Sequence, residues 1–426
     1  MAVNEVFSKA SDLDKHDPLS SFRNKFVISD TSKIYLDGNS LGRLPKRTVE
    51  IVDQILKQEW GNDLIGSWNK SWYTKASEIG DKIAAIIGAD KGEVIVSDNT
   101  STNLYKLVYA ALAYQQGRKK IITDVFNFPS DVYIMDGLVK QKGDGYHIEF
   151  IKSKDEISID ENELCNDIDD DTALVSLSHV AFKSAFMYDM KKVTDKAHER
   201  GALVLWDLSH SVGALPIELK KCNVDLAIGC TYKYLNGGPG APAFLYVRKD
   251  LQEKLSSPIQ GWFGANDPFE FNLKYAPSPG IRRFLTGTPP IISISGIGSG
   301  LDLILDAGIK NIRHKSMQLS SFFIELFERE LSHLGFSLAT PMDSLQRGSH
   351  ISIKHQEAFR IVKALADKSV DEKSIIPDFR APDNIRFGFA PLYNSFEDIY
   401  HTIQKLIKIT TLKLFEHYDL SKEKVT

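Results

Sequence analysis

The chain has 426 residues, 42% hydrophobic and 25% charged, with a net charge of −4, the composition of a globular protein large enough for two or three domains and a core that needs no covalent staples. A pI near 6.3 and the lack of a basic block or aromatic-basic stripe argue against nucleic acid or an anionic membrane as partner and leave a small ligand. The three cysteines, Cys165, Cys222 and Cys230, fall in no CxxC spacing, which argues against a disulfide framework or structural zinc and for a reducing, cytoplasmic compartment.

The N-terminus, charged and broken over residues 1–9, is no signal sequence, and no apolar run reaches the ~20 residues that span a bilayer. Pro45 is placed to start a helix carrying Val49, Val52, Leu56 and Trp60. From about residue 76 to 250, strand-like runs at 93–96, 120–123, 147–150, 173–177, 202–206, 224–228 and 243–247 alternate with helical patterns, one opening after Asn99 and another over 189–200. That cadence predicts an α/β fold, a mostly parallel central sheet with helices on both faces. The acidic run at 167–171 reads as a solvated loop rather than a metal site, and none is expected elsewhere. After Pro289-Pro290, helical patterns run to about 334; Gly296, Gly298 and Gly300 among them lack both a preceding strand and GxGxxG spacing, so close helix packing explains them. Strands at 350–353 and 384–389 with helices over 355–367 and 395–415 predict a smaller α+β domain. The expected division is a segment 1–60 joining the small domain, a large α/β domain over 61–310 and the small domain over 311–426.

Ligands of such sheets sit beyond the carboxyl ends of the strands. Asp207 ends the apolar run 202–206, and Lys233, 26 residues later, follows 224–228 and leads into Gly237-Gly238-Pro239-Gly240. Taken singly, the lysine reads as a solvated loop residue and the aspartate as a helix cap. Together at strand ends they are the pair that holds pyridoxal phosphate. The amine forms the Schiff base, and the carboxylate keeps the pyridine nitrogen protonated so that the ring draws electrons. Thr100 and Ser101, where a strand turns into a helix, either cap it or offer hydroxyls and free N–H groups to a phosphate. In Phe128-Pro129-Ser130-Asp131 the ring is placed to stack on the cofactor with the carboxylate beside it, the alternative being a buried Phe and a capping Asp. His210 reaches the cofactor or satisfies a buried carboxylate.

Six segments in constant order carry a more specific likeness: YLDGNSLG at 35–42, FPSD at 128–131, WDLSH at 206–210, CTYKYLN at 230–236, GWFG at 261–264 and IRFGFAPLYN at 385–394. Over residues 33 to 400, nearly the whole chain, the sequence resembles the kynureninases, fold-type I pyridoxal-phosphate enzymes of the class V aminotransferase-like group. The resemblance implies that Lys233 carries the cofactor, Asp207 pairs with its ring nitrogen, and His210 and Tyr232 complete the pocket. It also implies that Thr100 and Ser101 hold phosphate, Phe128 stacks on the ring, and Asp131 and Ser178 line its edge. Trp262 and Thr288 would reach the phosphate from a neighbouring subunit, making a homodimer with shared active sites. Arg386 would clamp the substrate carboxylate with Ser40. Trp68 and the Gly287-Thr288 pair match the bacterial type acting on L-kynurenine rather than on its 3-hydroxy form. One departure stands out: Ala181, Phe182 and Ala185 replace the family's more usual Asn, Tyr and Gly. An aminotransferase or epimerase would use Lys233, Asp207 and Arg386 equally well. A cysteine desulfurase needs a nucleophilic cysteine after the lysine, and none follows Cys230. A non-catalytic scaffold is disfavoured by the intact Lys233, Asp207 and Arg386.

Overall fold

Short apolar runs bracketed by turn formers become strands, as the computed structural model, which describes residues 3–421, shows. In chain order these are β1 (Lys33–Tyr35), β2 (Val94–Val96), β3 (Lys120–Asp124), β4 (His147–Ile151), β5 (Thr172–Ser178), β6 (Leu203–Asp207), β7 (Leu226–Gly229), β8 (Phe244–Val247), β9 (Ser337–Leu338), β10 (His350–Lys354), β11 (Ser374–Ile376), β12 (Asp378–Arg380) and β13 (Asn384–Gly388). Seven build the central sheet in the order β2-β8-β7-β6-β5-β3-β4. The pairs β3–β4, β3–β5, β5–β6 and β6–β7 are parallel, and only β8 runs antiparallel to both neighbours. β5, β6 and β7 are buried along their whole length. Being covered on both faces, they read as unbroken apolar runs rather than alternating ones.

Among the described residues the helices are α1 (Val3–Lys15), α2 (Lys46–Gln54), α3 (Lys75–Ile87), α4 (Thr100–Tyr114), α5 (Pro129–Lys142), α6 (Glu161–Asp167), α7 (Met190–Glu199), α8 (Ile291–Ala307), α9 (Ile309–Glu330), α10 (Ala358–Ala366) and α11 (Phe396–Thr411); α3 to α8 supply the core around this sheet, and α1, α10, α11 and most of α9 a second one. Val94, Ile121, Leu174, Leu205 and Ile228 belong to one core around the large sheet. Phe323, Phe327, Ile351, Ile385 and Ile403 belong to a second, behind the antiparallel sheet β12-β13-β10-β9. The N-terminal segment feeds both: Leu19 and Phe26 join the first, whereas Val6, Ala10, Ile34 and Leu36 join the second. β1 pairs in parallel with β11.

Two local features differ from sequence expectation. The helix begun at Pro45 widens to i→i+5 turns over Ile55–Asp63, and Val49, Leu56 and Trp60 face outward instead of into a core. β11 and β12, three residues each, are too short to carry a readable alternation. Among the described residues no single helix is long and apolar enough to cross a membrane; α8 and α9 qualify only jointly, meet at 82°, and α8 is largely buried in the protein. The three cysteines are free thiols.

Candidate active site

Parallel strands deliver their last residues to one edge of the sheet, and chemistry-bearing side chains collect there. β6 ends on Asp207, β5 on Ser178, and the turn after β7 carries Lys233. Lys233 Nζ lies 2.9 Å from His210 Nε2 and 5.8 Å from the centroid of the Phe128 ring. Asp207 Oδ1 accepts from the Ser209 amide (2.9 Å) and hydroxyl (2.6 Å). α5 starts with Pro129 at its first position, where a missing N–H costs nothing. Its first turn also holds Ser130 and the buried Asp131. Ser178 donates to Asn127 Oδ1 at 2.9 Å, fixing the segment between β3 and α5.

Burial dominates the electrostatics of this cluster. It pushes the Asp207 carboxyl up, with the Lys233 charge pulling the other way. Burial and the Asp207 charge push Asp131 well up. Burial, then the charges of Lys233 and Arg386, push the His210 ring well down. His210 is therefore neutral: its Nε2 accepts from Lys233, and its buried Nδ1 has no partner.

Close backbone packing holds the lysine turn. The Gly42 amide donates to the Tyr232 carbonyl at 2.8 Å, and a Cβ on Gly42 would collide with the Lys233 carbonyl and the Asn236 side chain. From the other side, a Cβ on Gly300 of α8 would strike the Leu235 carbonyl. Both glycines are thus needed for close approach. Nearby, Asn99 caps α4 by accepting from the Thr102 amide at 2.9 Å, so Thr100 and Ser101 occupy the first two helical positions beside unpaired N–H groups.

Arg386 comes from β13, opposite Asp378 of β12 in the strand register. Its Nε and Nη2 donate to Asp378 Oδ1 and Oδ2 at 2.8 and 2.5 Å. Nη2 also donates to Ser40 Oγ at 3.1 Å, and Nη1 to the Phe182 carbonyl at 2.5 Å. Asp378 was not singled out from sequence, nor was His350. The latter is fully buried with neither ring nitrogen bonded, its ring centroid 5.6 Å from that of His210.

Residues 34–374 match the family model described as Aminotransferase class-V. A kynureninase from Pseudomonas fluorescens is 41% identical over 406 residues, 94% of each chain. The chain belongs to the kynureninase family. Another kynureninase, from Burkholderia pseudomallei (strain 1106a), is 40% identical over 399 residues, covering 92% of this chain and 93% of that one. In fold alone the chain is similar to a cysteine desulfurase from Thermococcus onnurineus NA1, with a TM-score of 0.77 at 21% identity over 94% of this chain and 98% of the other. It is likewise similar to a cysteine desulfurase from Escherichia coli, with a TM-score of 0.78 at 17% identity over 92% and 98%.

In this kynureninase-family chain the remaining expected residues are dispersed. Tyr232 is partly buried against the large core. Trp68, Trp262 and Thr288 line a separate cavity of about 430 Å³ with Ile65, Phe263 and Phe269. Trp68 and Trp262 pack on Phe263 at 5.4 and 5.1 Å, and among the described residues no hydrogen bond or ring contact joins the three to Lys233. The substituted stretch has a local account. Phe182 meets Phe128 edge-on at 5.2 Å, and Ala185 has φ +66. That left-handed conformation costs an alanine about 1 kcal/mol, a cost a glycine would not bear.

The donor set suits pyridoxal phosphate. Burial pushes both carboxyls toward their neutral forms beside one amine and a neutral imidazole, so a cation such as a protonated ring nitrogen would be needed to favour the ionised Asp207. The first turn of α4 offers N–H groups and two hydroxyls to the phosphate.

Proposed function

We propose that the protein hydrolyses the Cβ–Cγ bond of L-kynurenine to anthranilate and L-alanine, with pyridoxal phosphate as cofactor. The observation that carries this is Lys233 Nζ on neutral His210, electrostatically linked to Asp207 and Asp131, at the strand ends of a kynureninase-family chain.

Lys233 would hold the cofactor's aldehyde carbon and Asp207 its ring nitrogen. Thr100, Ser101 and the start of α4 would hold its phosphate, and Phe128 its face. Pro129, Ser130, Asp131 and Ser178 would line its edge. When bound, the cofactor supplies an electron sink for the bonds broken at the substrate. Lys233 Nζ would also serve as the base for the Cα proton, oriented by His210 Nε2. Burial keeps the Tyr232 phenol protonated, so its hydroxyl moves protons at the oxygen of the substrate's Cγ as water adds. Arg386 and Ser40 bind the α-carboxylate, and Trp68, which shares its cavity with Trp262 and Thr288, would meet the aromatic ring of the substrate in the assembled dimer.

The working unit is a homodimer in which Trp262 and Thr288 complete the partner's phosphate site. Both are exposed in the single chain, and Trp262 stacks on exposed Phe271 at 6.3 Å. The free thiols fit a cytoplasmic setting, within tryptophan catabolism or NAD biosynthesis by the kynurenine pathway.

Purified protein given pyridoxal phosphate and L-kynurenine, with no keto acid, is expected to release fluorescent anthranilate and equimolar alanine, and faster than it releases 3-hydroxyanthranilate from 3-hydroxykynurenine. Turnover that requires a keto acid would mark an aminotransferase instead.

A further inference from the structure

Arg386 has two edges in two different environments. The Nε–Nη2 edge is gripped by both oxygens of Asp378, a fork set by the β12–β13 register that puts the two residues opposite each other. The Nη1–Nη2 edge meets only neutral acceptors, the Phe182 carbonyl and the Ser40 hydroxyl. Asp378 is fully buried and is also bonded by Arg380 Nη2 at 2.6 Å and by Ser40 Oγ at 3.0 Å. Nearby Asp37 is pushed up to about 7 by burial and by the Asp378 charge.

The two edges are unequal in what they can exchange. Releasing Asp378 would leave the buried Arg386 guanidinium without its carboxylate partner. Releasing a carbonyl and a hydroxyl to an incoming carboxylate replaces neutral acceptors with a charged one and strengthens the bonds. We propose that Asp378 is a positioning residue for substrate recognition: by holding the Nε–Nη2 edge, it turns the Nη1–Nη2 edge of Arg386 toward the substrate carboxylate. Ser40, bonded to both Asp378 and Arg386, ties the fork to the segment 35–42 that also packs on the lysine turn. This role rests on Arg386 and Ser40 being the carboxylate site.

The test compares L-kynurenine with its carboxamide on the cofactor-loaded enzyme. Asp378→Asn is expected to raise KM for kynurenine about 10- to 100-fold, the scale of an ångström-level misplacement. It should leave kcat within about threefold, leave the cofactor absorbance unchanged, and erase most of the preference for the acid over the amide. A variant that melts lower yet keeps the parent KM and preference overturns the proposal, because a purely structural carboxylate would do just that. Should Asp378→Asn fail to fold, Asp378→Glu keeps the charge but shifts the fork by a methylene; it is expected to raise KM similarly, and a parental KM there overturns the proposal too. Arg386→Gln separates the two layers. If it loses the preference while the Asp378 variants keep it, only the role of Asp378 fails; if it keeps the preference itself, the carboxylate site has been misassigned.

Discussion

His179 packs edge-on against Trp206 at 5.8 Å, and burial, aided by the Arg313 charge, pushes its ring down to about 4. An unfolded histidine protonates near 6.5. Between those values the unfolded chain binds a proton that the folded chain refuses, so acidification from pH 6.5 to 4 removes up to about 3 kcal/mol of stability through this one group. Asp124 acts in the opposite sense. Burial pushes its carboxyl up to about 6 despite the Tyr188 hydroxyl at 2.8 Å, so its contribution is complete below about pH 4 and is lost as pH rises through 6. His179→Gln should therefore gain on the parent as the solution is acidified, and Asp124→Asn should gain on it as pH rises from 4 to 6. Denaturant titrations at several pH values check both, and a difference from the parent that ignores pH would contradict the assignment. At this scale, legibility followed strand ends. Asp207 and Lys233 stood out because their positions after buried runs fix where they emerge. Asp378 and His350 did not, because their facing depends on which strand lies opposite, and no local pattern specifies that register.

At the scale of elements, α4 shows how one helix start is held. Lys106, fully buried, donates to Asp98 Oδ2 at 2.8 Å and to the Phe284 carbonyl at 2.7 Å, while Thr286 donates to Asp98 Oδ1 at 2.6 Å. The Lys106 ammonium thus ties the turn before α4, the proposed phosphate site, to the segment leading to Thr288. Replacing it with methionine keeps the length but strands Asp98 without its charge partner, and such breaks cost about 3 to 5 kcal/mol. Lys106→Met is expected to melt earlier and to release cofactor faster on dilution; parental values for both would show that water serves Asp98 equally well. The strands and helices of the large sheet were readable because apolar runs alternate with amphipathic stretches. The widened turns after residue 54 were not, since reading this stretch at a 3.6-residue period assumes regular turns, and an extra residue per turn shifts the face that Leu56 and Trp60 take.

At the scale of the whole molecule, several strongly exposed apolar side chains lie near Trp262. Ile65 is 81% exposed and Leu273 wholly so; Ile65 borders one cavity beside Trp262, and Leu273 and Phe271 border another. Exposed apolar side chains gathered on both sides of Trp262 are the expected features of an association site. Light scattering on the eluting protein is expected to give a dimer. Ile65→Asp combined with Leu273→Asp should shift it toward monomer and weaken cofactor retention together, because Trp262 lies within the same patch. A double variant that stays dimeric would move the interface elsewhere.

The site also straddles two packing units. Lys233 belongs to the large sheet, whereas Arg386 and His350 arrive on strands of the second core, joined to the first by contacts such as Tyr234 Oη to the Ser349 carbonyl at 3.1 Å. Alignment between a reacting carbon and its anchoring carboxylate is therefore governed by how the two bodies seat on one another. Substitutions deep in α9 or α11, remote from any ligand, should surface first as poorer substrate capture in an enzyme that still carries its vitamin-derived colour.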